Sequence, residues 1–345
     1  MKTAIVILNW NTREYLGRWL PPLLDSIRGL DAFVAVADNA STDGSAAFVE
    51  AEFPEVKLIR LTENYGFTGG YDRALAQIEA DLFLLLNSDV QVSRGWLEPL
   101  VDWMENHPEC GACGPKILSL DEPGRFEYAG AAGGLLDRFG YPFCRGRVMG
   151  RTEPDEGQYD ASPAPVLWVS GACLLTRAAV WKELGGLDER FFAHMEEIDY
   201  CWRSQLAGYG VTVVPQSAVL HLGGGTLPQD SPFKMKLNYR NNLLLLSKNL
   251  PPTIGKRRAA ARIFFRRLLD GASALVWLLR GKKENFRAVV QAHREFRALS
   301  PVVPTAGCGR VNGLVNKNII LMSVLCGKGI FKHLRKNEYH YRRRG

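Results

Sequence analysis

The sequence predicts an α/β fold in which a mostly parallel, Rossmann-type sheet is flanked by helices and followed by a helical C-terminal extension. Short apolar segments alternate with amphipathic ones over residues 1–92, which is typical of βαβ units. Each apolar segment also ends in polar residues. Charge is divided unevenly, because residues 251–345 contain 21 Lys and Arg against 4 Asp and Glu, whereas residues 1–250 contain 22 against 32. The chain therefore predicts an acidic body with a basic extension.

The individual strands and helices follow from the spacing of apolar residues. TAIVILNW, at residues 3–10, predicts the first strand, because its apolar run is too short for a signal peptide. Residues 14–27 predict a helix that is interrupted or bent at Pro21 and Pro22. No segment approaches the ~18–20 apolar residues of a transmembrane helix. The alternation continues with predicted strands at residues 32–38, 56–61 and 81–87, and with predicted helices at 45–53 and 71–79.

Polar residues follow every predicted strand of the sheet. Ligands of open parallel sheets bind beyond the carboxyl ends of the strands, so we expect these residues to form one rim of a site. Turn and helix-cap chemistry is the alternative for any one segment taken alone. The segments are Asn9-Trp10-Asn11, the run from Asp38 to Ser45, the run from Asn64 to Gly70, and Asn87-Ser88-Asp89.

Two common nucleotide-binding motifs are missing from the sequence. No G-x-G-x-x-G follows the first strand, and no G-x-x-x-x-G-K-[ST] occurs anywhere. Their absence counts against a dinucleotide-dependent dehydrogenase and against a P-loop enzyme.

The seven cysteines do not form a recognisable framework. Their number is odd, and only Cys110 and Cys113 have the C-x-x-C spacing. We expect reduced, partly buried thiols in a cytosolic compartment, with a small metal or redox site at this pair as the less favoured alternative.

Several of these segments together resemble the inverting glycosyltransferases of family 2. The resemblance is strongest to the bacterial branch that includes rhamnosyltransferases of surface polysaccharide synthesis, and it covers roughly residues 3–245. It implies a GT-A-like, nucleotide-diphospho-sugar transferase fold. It also implies transfer of a sugar from a UDP- or dTDP-sugar to a hydroxyl of a lipid-linked or growing cell-surface glycan. The segments that carry it, in chain order, are VILNWNTREYL, VADNASTDGS, ENYGFTGGYDRAL, LLLNSDV and FFAHMEEIDYCWR.

The resemblance implies a divalent cation, Mg²⁺ or Mn²⁺, near the end of the fourth strand. Asp89 stands where the D-x-D motif of the family ends and is the expected metal ligand, whereas Asn87 replaces the first aspartate. His221 corresponds to a histidine that contacts the metal or the diphosphate, and the glycine-rich segment 223–226 after it offers backbone N–H groups to phosphate. A turn at Asn87 and a structural histidine are the alternatives.

The donor-binding residues are carried over from the same resemblance. Asp38 corresponds to the residue that hydrogen-bonds the nucleobase, and the glycines of the third segment let the backbone approach the ligand. Asp72 and Ala74 depart from the family pattern. The predicted donor-binding set is Asn9, Asn11, Asp38, Asn64, Gly66, Gly69, Gly70, Asn87 and Arg203.

A cluster of carboxylates in HMEEIDYCWR predicts the catalytic base. Clustered carboxylates raise one another's pKa, which suits a general base near neutral pH. The family pattern places the base at Glu197, with Glu196 as the alternative. Asp199 completes the catalytic cluster as a supporting residue, and Arg203 lies one helical turn from it. A solvated acidic helix face is the alternative interpretation.

The segment WVSGAC, residues 168–173, resembles the part of family enzymes that lines the acceptor side. Trp168 and Trp181 either stack on a sugar or fill the core, and the sequence leaves both open.

The basic extension contains two amphipathic segments, at residues 255–283 and 318–336. In the first, Arg258, Arg262 and Arg266 predict a basic stripe beside apolar residues that suit the interface of an anionic membrane. The alternative is a helix packed on the catalytic body with a solvated basic face. No nucleic-acid motif accompanies the charge, so we expect no nucleic-acid partner.

These observations predict a catalytic domain at residues 1–228, divided into a nucleotide-sugar half (1–92) and an acceptor-side half (93–228), and a basic, helical, membrane-associating region at residues 229–345. The expected localisation is cytoplasmic, peripheral at the inner face of the cell membrane. A catalytically weak sugar-nucleotide-binding module is the alternative function, because Asn87, Asp72 and Glu197 depart from the family pattern.

Overall fold

The computed structural model describes residues 1–223 and 231–337, and it contains a nine-stranded sheet and a separate five-stranded sheet within these ranges. The strands are, in chain order, β1 (Thr3–Asn9), β2 (Ala32–Asp38), β3 (Lys57–Arg60), β4 (Leu82–Leu86), β5 (Val90–Gln91), β6 (Cys110–Ser119), β7 (Gly134–Asp137), β8 (Pro142–Cys144), β9 (Arg147–Val148), β10 (Arg151–Thr152), β11 (Ala164–Pro165), β12 (Cys173–Arg177), β13 (Gly210–His221) and β14 (Leu314–Val315).

Helices cover the sheet and make up most of the C-terminal region. They are α1 (Arg13–Ser26), α2 (Ser45–Glu52), α3 (Gly66–Leu75), α4 (Glu98–Asn106), α5 (Ala178–Leu184), α6 (Glu196–Leu206), α7 (Pro232–Ile254), α8 (Lys256–Leu279), α9 (Lys283–Ala298), α10 (Ile319–Cys326) and α11 (Ile330–Asn337), with short 3₁₀ turns at Glu189–Phe191 and Gly327–Gly329.

The nine-stranded sheet has the order β11-β13-β6-β12-β4-β1-β2-β3, with β5 paired to β13. Strands β3, β2, β1 and β4 are parallel, whereas β12 pairs antiparallel with both β4 and β6. All five residues of β4 are buried, as expected for a central strand covered on both faces. In the register of β1 and β2, Asn9 lies opposite Asp38. The predicted α/β sheet is confirmed, and its parallel part brings the polar strand ends to one edge.

Two predicted helices differ from those observed. Helix α1 runs without interruption through Pro21 and Pro22, so an interruption there is wrong, whereas a bend at the two prolines stays a prediction. Burial of its apolar side, including Leu16 and Leu20, offsets the hydrogen bonds that the prolines remove.

Helix α3 begins at Gly66 and ends at Leu75, earlier at both ends than the helix predicted over residues 71–79. The predicted glycine loop therefore forms its first turns. A Cβ atom at Gly70 would lie 2.7 Å from Leu8 Cδ1, so glycine is what allows the helix to pack directly on β1. This packing outweighs the intrinsic cost of about 1 kcal/mol for a glycine within a helix.

The C-terminal region is tied to the catalytic body by buried polar contacts. Lys248 and Asn249 of α7 both donate hydrogen bonds to Asp199 of α6, and all three side chains are buried. Strand β14 completes the five-stranded sheet by pairing in parallel with β7, where Leu314 lies opposite Leu136. Among the described residues, no helix has the length and hydrophobicity needed to cross a membrane.

The basic stripe predicted on α8 is wrong at Arg266. Arg258 is exposed and Arg262 half-buried, but Arg266 is only 4% exposed. Its guanidinium donates to Asp270, one turn later on the same helix, and to Asn242 of α7. The stripe therefore turns into the protein, because a buried carboxylate and an amide compensate the charge of Arg266 there.

None of the seven cysteines, all of which lie within the described residues, is part of a disulfide bond. Five of them are buried, including Cys110 and Cys113, which lie on β6. Within residues 1–223 and 231–337, no group of three His, Cys, Asp or Glu side chains has the arrangement of a complete metal site.

Candidate active site

The ends of β1 and β2 are joined by the side chain of Asn9. Its Nδ2 donates to Asp38 Oδ1 at 2.9 Å and to Ser41 Oγ at 3.0 Å. The Thr12 hydroxyl lies 2.5 Å from Asn9 Oδ1 and 3.0 Å from Ser88 Oγ, next to Asp89. Asn9 is fully buried, so it orients Asp38 and links this pair to the end of β4. Thr12 was not among the predicted residues.

Asn11 fixes the loop that follows Asp38. It has a positive φ of 55°, and its Oδ1 accepts a hydrogen bond from the backbone N–H of Thr42 at 2.7 Å. Its own N–H donates to Ser41 Oγ. Asn11 and Thr42 are exposed, so this loop forms the solvent-facing part of the rim beside the buried Asp38.

Asn39, which lies in a predicted rim segment but not in the predicted donor-binding set, connects β2 to the segment 64–70. Its Nδ2 donates to Asn64 Oδ1 at 3.0 Å, and its Oδ1 accepts from the N–H of Tyr65 at 3.0 Å. Asn64 also accepts from the N–H of Gly66, where α3 begins. Residues at all four strand ends thus belong to one hydrogen-bonded rim, which Ser88 joins at the end of β4.

The three predicted donor-binding glycines lie against protein atoms. A Cβ atom at Gly66 would lie 2.6 Å from the Phe192 ring, and one at Gly69 would lie 2.8 Å from Arg73 Nη1. Together with Gly70 against Leu8, they let α3 approach its neighbours closely. The geometry gives these glycines a packing role, and their contact with a donor stays a prediction.

At the end of β4, Asp89 meets His221 from the end of β13. His221 Nε2 lies 3.2 Å from Asp89 Oδ1, and its Nδ1 lies 3.2 Å from Glu127 Oε2. All three side chains are buried. Antiparallel pairing of β5 with β13, in which His221 lies opposite Val90, brings the two strand ends together. Glu127 is a further residue that sequence reasoning missed.

The two carboxylates determine the charge of His221. Burial lowers the pKa of the imidazole, but Asp89 and Glu127 raise it by more, to about 10. Both ring nitrogens therefore hold protons near neutral pH, and a cation that binds Nε2 must displace the proton there while Nδ1 keeps its own proton beside Glu127. Asp89 and His221 supply one carboxylate and one imidazole, a donor set suited to a divalent cation that takes further oxygens from phosphate.

Glu196 and Glu197 begin helix α6. Glu196 is buried, and burial, followed by the charge of Glu197, raises its pKa well above the ordinary value. Glu197 is partly exposed, and desolvation raises its pKa to about 7, against opposing backbone hydrogen bonds at the helix N-terminus. Of the two carboxylates, Glu197 is therefore the one that both reaches solvent and titrates near neutral pH.

Asp199, in contrast, has a structural environment. Its Oδ2 accepts hydrogen bonds from Arg203 Nε at 2.7 Å and from Lys248 Nζ at 2.8 Å, and its Oδ1 accepts from Asn249. Arg203 also donates to the carbonyls of Leu184 and Gly186. These contacts favour a supporting role for both Asp199 and Arg203 over catalysis or donor binding.

The loop before Glu196 is strained and is held by α7. Phe192, His194 and Met195 have positive φ angles of 63°, 71° and 75°, which non-glycine residues rarely adopt. Asn241 Nδ2 lies within hydrogen-bonding distance of three carbonyls in this loop, those of Phe191 (2.9 Å), Ala193 (2.8 Å) and His194 (2.7 Å). The fully buried amide of Asn241, on helix α7, thus fixes the backbone that leads into the candidate base.

The donor side and the base are linked through two short contacts. The N–H of Phe67, in α3, donates to the carbonyl of Phe192 at 2.9 Å. The N–H of Asn87 donates to the carbonyl of Ala172 at 3.0 Å, and a Cβ atom at the adjacent Gly171 would lie 3.6 Å from Glu197 Cβ. The segment 170–173 therefore lies between the end of β4 and Glu197, and its place on the acceptor side stays a prediction.

The remaining predictions fall outside the site or outside the described residues. Trp168 and Trp181 are buried and fill the core, so they do not offer a sugar-stacking surface. Asp72 accepts a hydrogen bond from the N–H of Leu187 at 2.9 Å, which gives this departure from the family pattern a local structural use. Gly224, Gly225 and Thr226 of the predicted phosphate-binding segment lie outside the described residues.

Comparison with known proteins finds a family match over the first part of the chain. Residues 4–159 match the model of Glycosyl transferase family 2. The N-acetylglucosaminyl-diphospho-decaprenol L-rhamnosyltransferase of Mycobacterium tuberculosis is 28% identical over 258 residues, which cover 70% of this chain and 83% of that protein.

Solved structures support the fold. The mannosyltransferase of Pyrobaculum calidifontis, in complex with GDP-Man and Mn²⁺, matches with a TM-score of 0.55 at 13% identity over 97% of this chain and 82% of that chain. Residues 1–349 of Staphylococcus aureus TarS, in complex with UDP-GlcNAc, match with a TM-score of 0.55 at 16% identity over 87% of this chain and 84% of that chain.

These matches identify the chain as a glycosyltransferase, with the fold shared by the solved glycosyltransferase structures. More particularly, residues 4–159 are similar to glycosyltransferases of family 2, and the sequence of the chain is similar to that of a rhamnosyltransferase.

Proposed function

We propose that this glycosyltransferase transfers a sugar, with inversion, from a UDP- or dTDP-linked donor to a hydroxyl of a lipid-linked or growing cell-surface glycan. The placement of Glu197 beside the segment that holds Asn87 is the observation that carries this proposal. It puts a carboxylate of near-neutral pKa next to the rim on which the donor diphosphate would lie.

A divalent cation, Mg²⁺ or Mn²⁺, fits the donor set at the end of β4. Asp89 and His221 would hold it, and Glu127 would orient the imidazole from the other side. When bound, the cation supplies charge stabilisation to the departing diphosphate. Two protein ligands suffice for such a role, because nucleotide diphosphates complete the coordination with their own oxygens. The complex of the Pyrobaculum mannosyltransferase with Mn²⁺ supports this assignment.

The other rim residues would bind the nucleotide. Asp38 is oriented by Asn9 and is positioned to accept hydrogen bonds from a base, as the family resemblance implies. Asn39, the residue after Asp38, donates a hydrogen bond to Asn64 and so holds Asn64 and the N-terminus of α3 near Asp38. The amide of Asn87 adds a neutral polar group in place of a second carboxylate.

Glu197 would activate the acceptor. Its ionised carboxylate accepts the proton of the acceptor hydroxyl, whose oxygen attacks the anomeric carbon while the bond from that carbon to the diphosphate oxygen breaks. Attack from the face opposite the leaving group inverts the anomeric configuration. Glu196 remains more deeply buried and has a still higher preference for its neutral form.

The mycobacterial relative supports a lipid-linked acceptor, since the name of that enzyme specifies an N-acetylglucosaminyl-diphospho-decaprenol. An acceptor of this kind lies at a membrane, which makes an anionic membrane surface the expected partner of the basic C-terminal region.

The experiment that tests this function is a screen of UDP- and dTDP-sugars with a polyprenyl diphosphate-linked acceptor and Mg²⁺ or Mn²⁺. The expected result is transfer with one donor class and a product of inverted anomeric configuration by NMR. Donor binding without transfer or hydrolysis for every donor and acceptor would instead favour the sugar-nucleotide-binding module, and a retained configuration would contradict the mechanism.

A further inference from the structure

Helix α8 presents its apolar side to solvent. Residues Phe264, Leu268, Leu275 and Leu279 are 59%, 54%, 54% and 78% exposed, and Phe265 beside them is 53% exposed. Their spacing places them on one stripe of the helix, and we call these five residues the docking face.

The opposite side of α8 is buried, and it carries an ion pair between two buried alanines, Ala259 and Ala274. Arg266 and Asp270 pair at 2.7 Å, and Asp270 is also 3.2 Å from His293 Nε2 of α9. A surface helix of a soluble protein normally buries its apolar stripe and exposes its charges. In α8 the central ion pair is inside and the apolar stripe is outside, so the outward surface of this helix is suited to an apolar medium.

Basic residues are exposed at both ends of the docking face. Lys256, Arg257 and Arg258 are exposed at the start of α8, and Arg280 is exposed immediately after its end. Asp270 is the only acidic residue within α8, and it is fully buried. Apolar side chains framed by exposed arginines and lysines complement a bilayer with anionic headgroups. A second copy of the same face would bring like charges together.

A second apolar group begins beside α8. Arg262 Nη2 donates to Asn316 Oδ1 at 3.3 Å, two residues before the N-cap of α10. On α10, Val324 and Leu325 are each 75% exposed and Leu321 is 54% exposed. No acidic residue occurs between Ile319 and Asn337.

We propose that α8 docks this protein on an anionic lipid bilayer by inserting its docking face between the headgroups. The buried side of α8 packs along the protein, so the helix lies parallel to the membrane surface. Insertion of apolar side chains, framed by the terminal basic clusters, provides the attachment. This differs from the sequence-based expectation, in which a basic stripe that includes Arg266 faces the lipid. The proposal is independent of the reaction catalysed.

The test is sedimentation of the full chain with vesicles of phosphatidylcholine, with and without phosphatidylglycerol. We expect the wild type to bind the vesicles that contain phosphatidylglycerol. The affinity of the double variant Leu268→Ser/Leu275→Ser for these vesicles should be lower by about tenfold or more. The reason is that two leucine side chains no longer leave water when the protein binds. The matched control Ala261→Ser/Ala272→Ser changes two exposed alanines of the same helix and should bind like the wild type.

Two outcomes would overturn the proposal. One is equal vesicle binding by the wild type and by the leucine variant. The other is a dimer of the wild type, in sedimentation velocity without lipid, that the leucine variant abolishes, since a second copy would then cover the docking face. Circular dichroism and the thermal midpoint should be unchanged in both double variants, because all four positions are exposed.

Discussion

His221 lies 3.2 Å from Asp89 through Nε2 and 3.2 Å from Glu127 through Nδ1, and this places one imidazole between the carboxyl end of β4 and an irregular loop. The first contact joins two residues that the sequence singled out for the same metal site. The second adds a carboxylate that orients the ring.

Glu127→Gln should weaken cation binding about 10- to 100-fold, because the amide orients the imidazole of His221 less effectively and raises its basicity less. The measurement is a calorimetric titration of the protein with Mn²⁺ in the absence of a donor. Glu122→Gln, a change of an exposed glutamate that pairs with Arg125, is the control and should bind Mn²⁺ like the wild type. Equal affinity of the Glu127 variant and the wild type would remove Glu127 from the site.

Glu197→Gln should lower kcat by about 10²- to 10⁴-fold, since a general base contributes on that order. In the wild type, kcat should rise with pH up to about 7, because only the ionised form of Glu197 accepts a proton and desolvation holds its pKa near that value. In the glutamine variant, kcat should not change with pH over the same range. A larger loss in Glu196→Gln than in Glu197→Gln would exchange the roles of the two residues.

Glu196→Gln should stabilise the protein at neutral pH. Burial holds the pKa of Glu196 above its ordinary value of 4.5, so the folded state retains the proton at pH values where the unfolded chain has lost it. The free energy of unfolding of the wild type therefore falls as pH rises above 4.5, and the glutamine removes this loss. Urea unfolding at pH 4 and pH 8 should show the gain only at pH 8, and an equal gain at both values would contradict the assignment.

Asn241→Ala should lower kcat more than it raises KM for the donor, because the loop that leads into Glu197 loses its buried hydrogen-bond donor. A loss of about 1–3 kcal/mol in the free energy of unfolding should accompany it. Asn242→Ala is the matched control, since Asn242 is equally buried but contacts Gly140 and Arg266 on another side of α7. Equal effects of the two variants on kcat would reduce Asn241 to a purely structural residue.

The catalytic sheet was predictable because its signals are local. β4 is an uninterrupted apolar run that ends at a polar turn, and parallel pairing brings such ends together without further information. The identity of Asp89 and Glu197 as candidates came from the family resemblance, and the structure adds their surroundings.

Glu127 and Asn241 were not predictable in the same way. Glu127 lies in a segment without helical or strand periodicity, and it reaches His221 only because the loop after β6 returns to the end of β13. Asn241 is one of two adjacent asparagines on a long helix, and only tertiary packing distinguishes them.

The orientation of α8 was misjudged for a physical reason that the sequence does contain. Arg266 and Asp270 are spaced i, i+4, which is the spacing of an ion pair on one helix face. A pair of this kind can compensate its own charge in the interior, whereas Arg258 has no acidic residue at that spacing. The basic stripe was therefore divided between the surface and the core.

The central claim is that Asp89 and Glu197 serve one transfer reaction in one site, Asp89 on the side of the donor and Glu197 on the side of the acceptor. The most direct measurement is cation-dependent turnover of the preferred nucleotide sugar by the wild type, Asp89→Asn and Glu197→Gln, with donor binding measured in parallel. We expect turnover by the wild type that chelation abolishes, and loss of about 10²-fold or more in both variants, with donor binding retained in Glu197→Gln. Equal turnover by all three proteins would contradict the account.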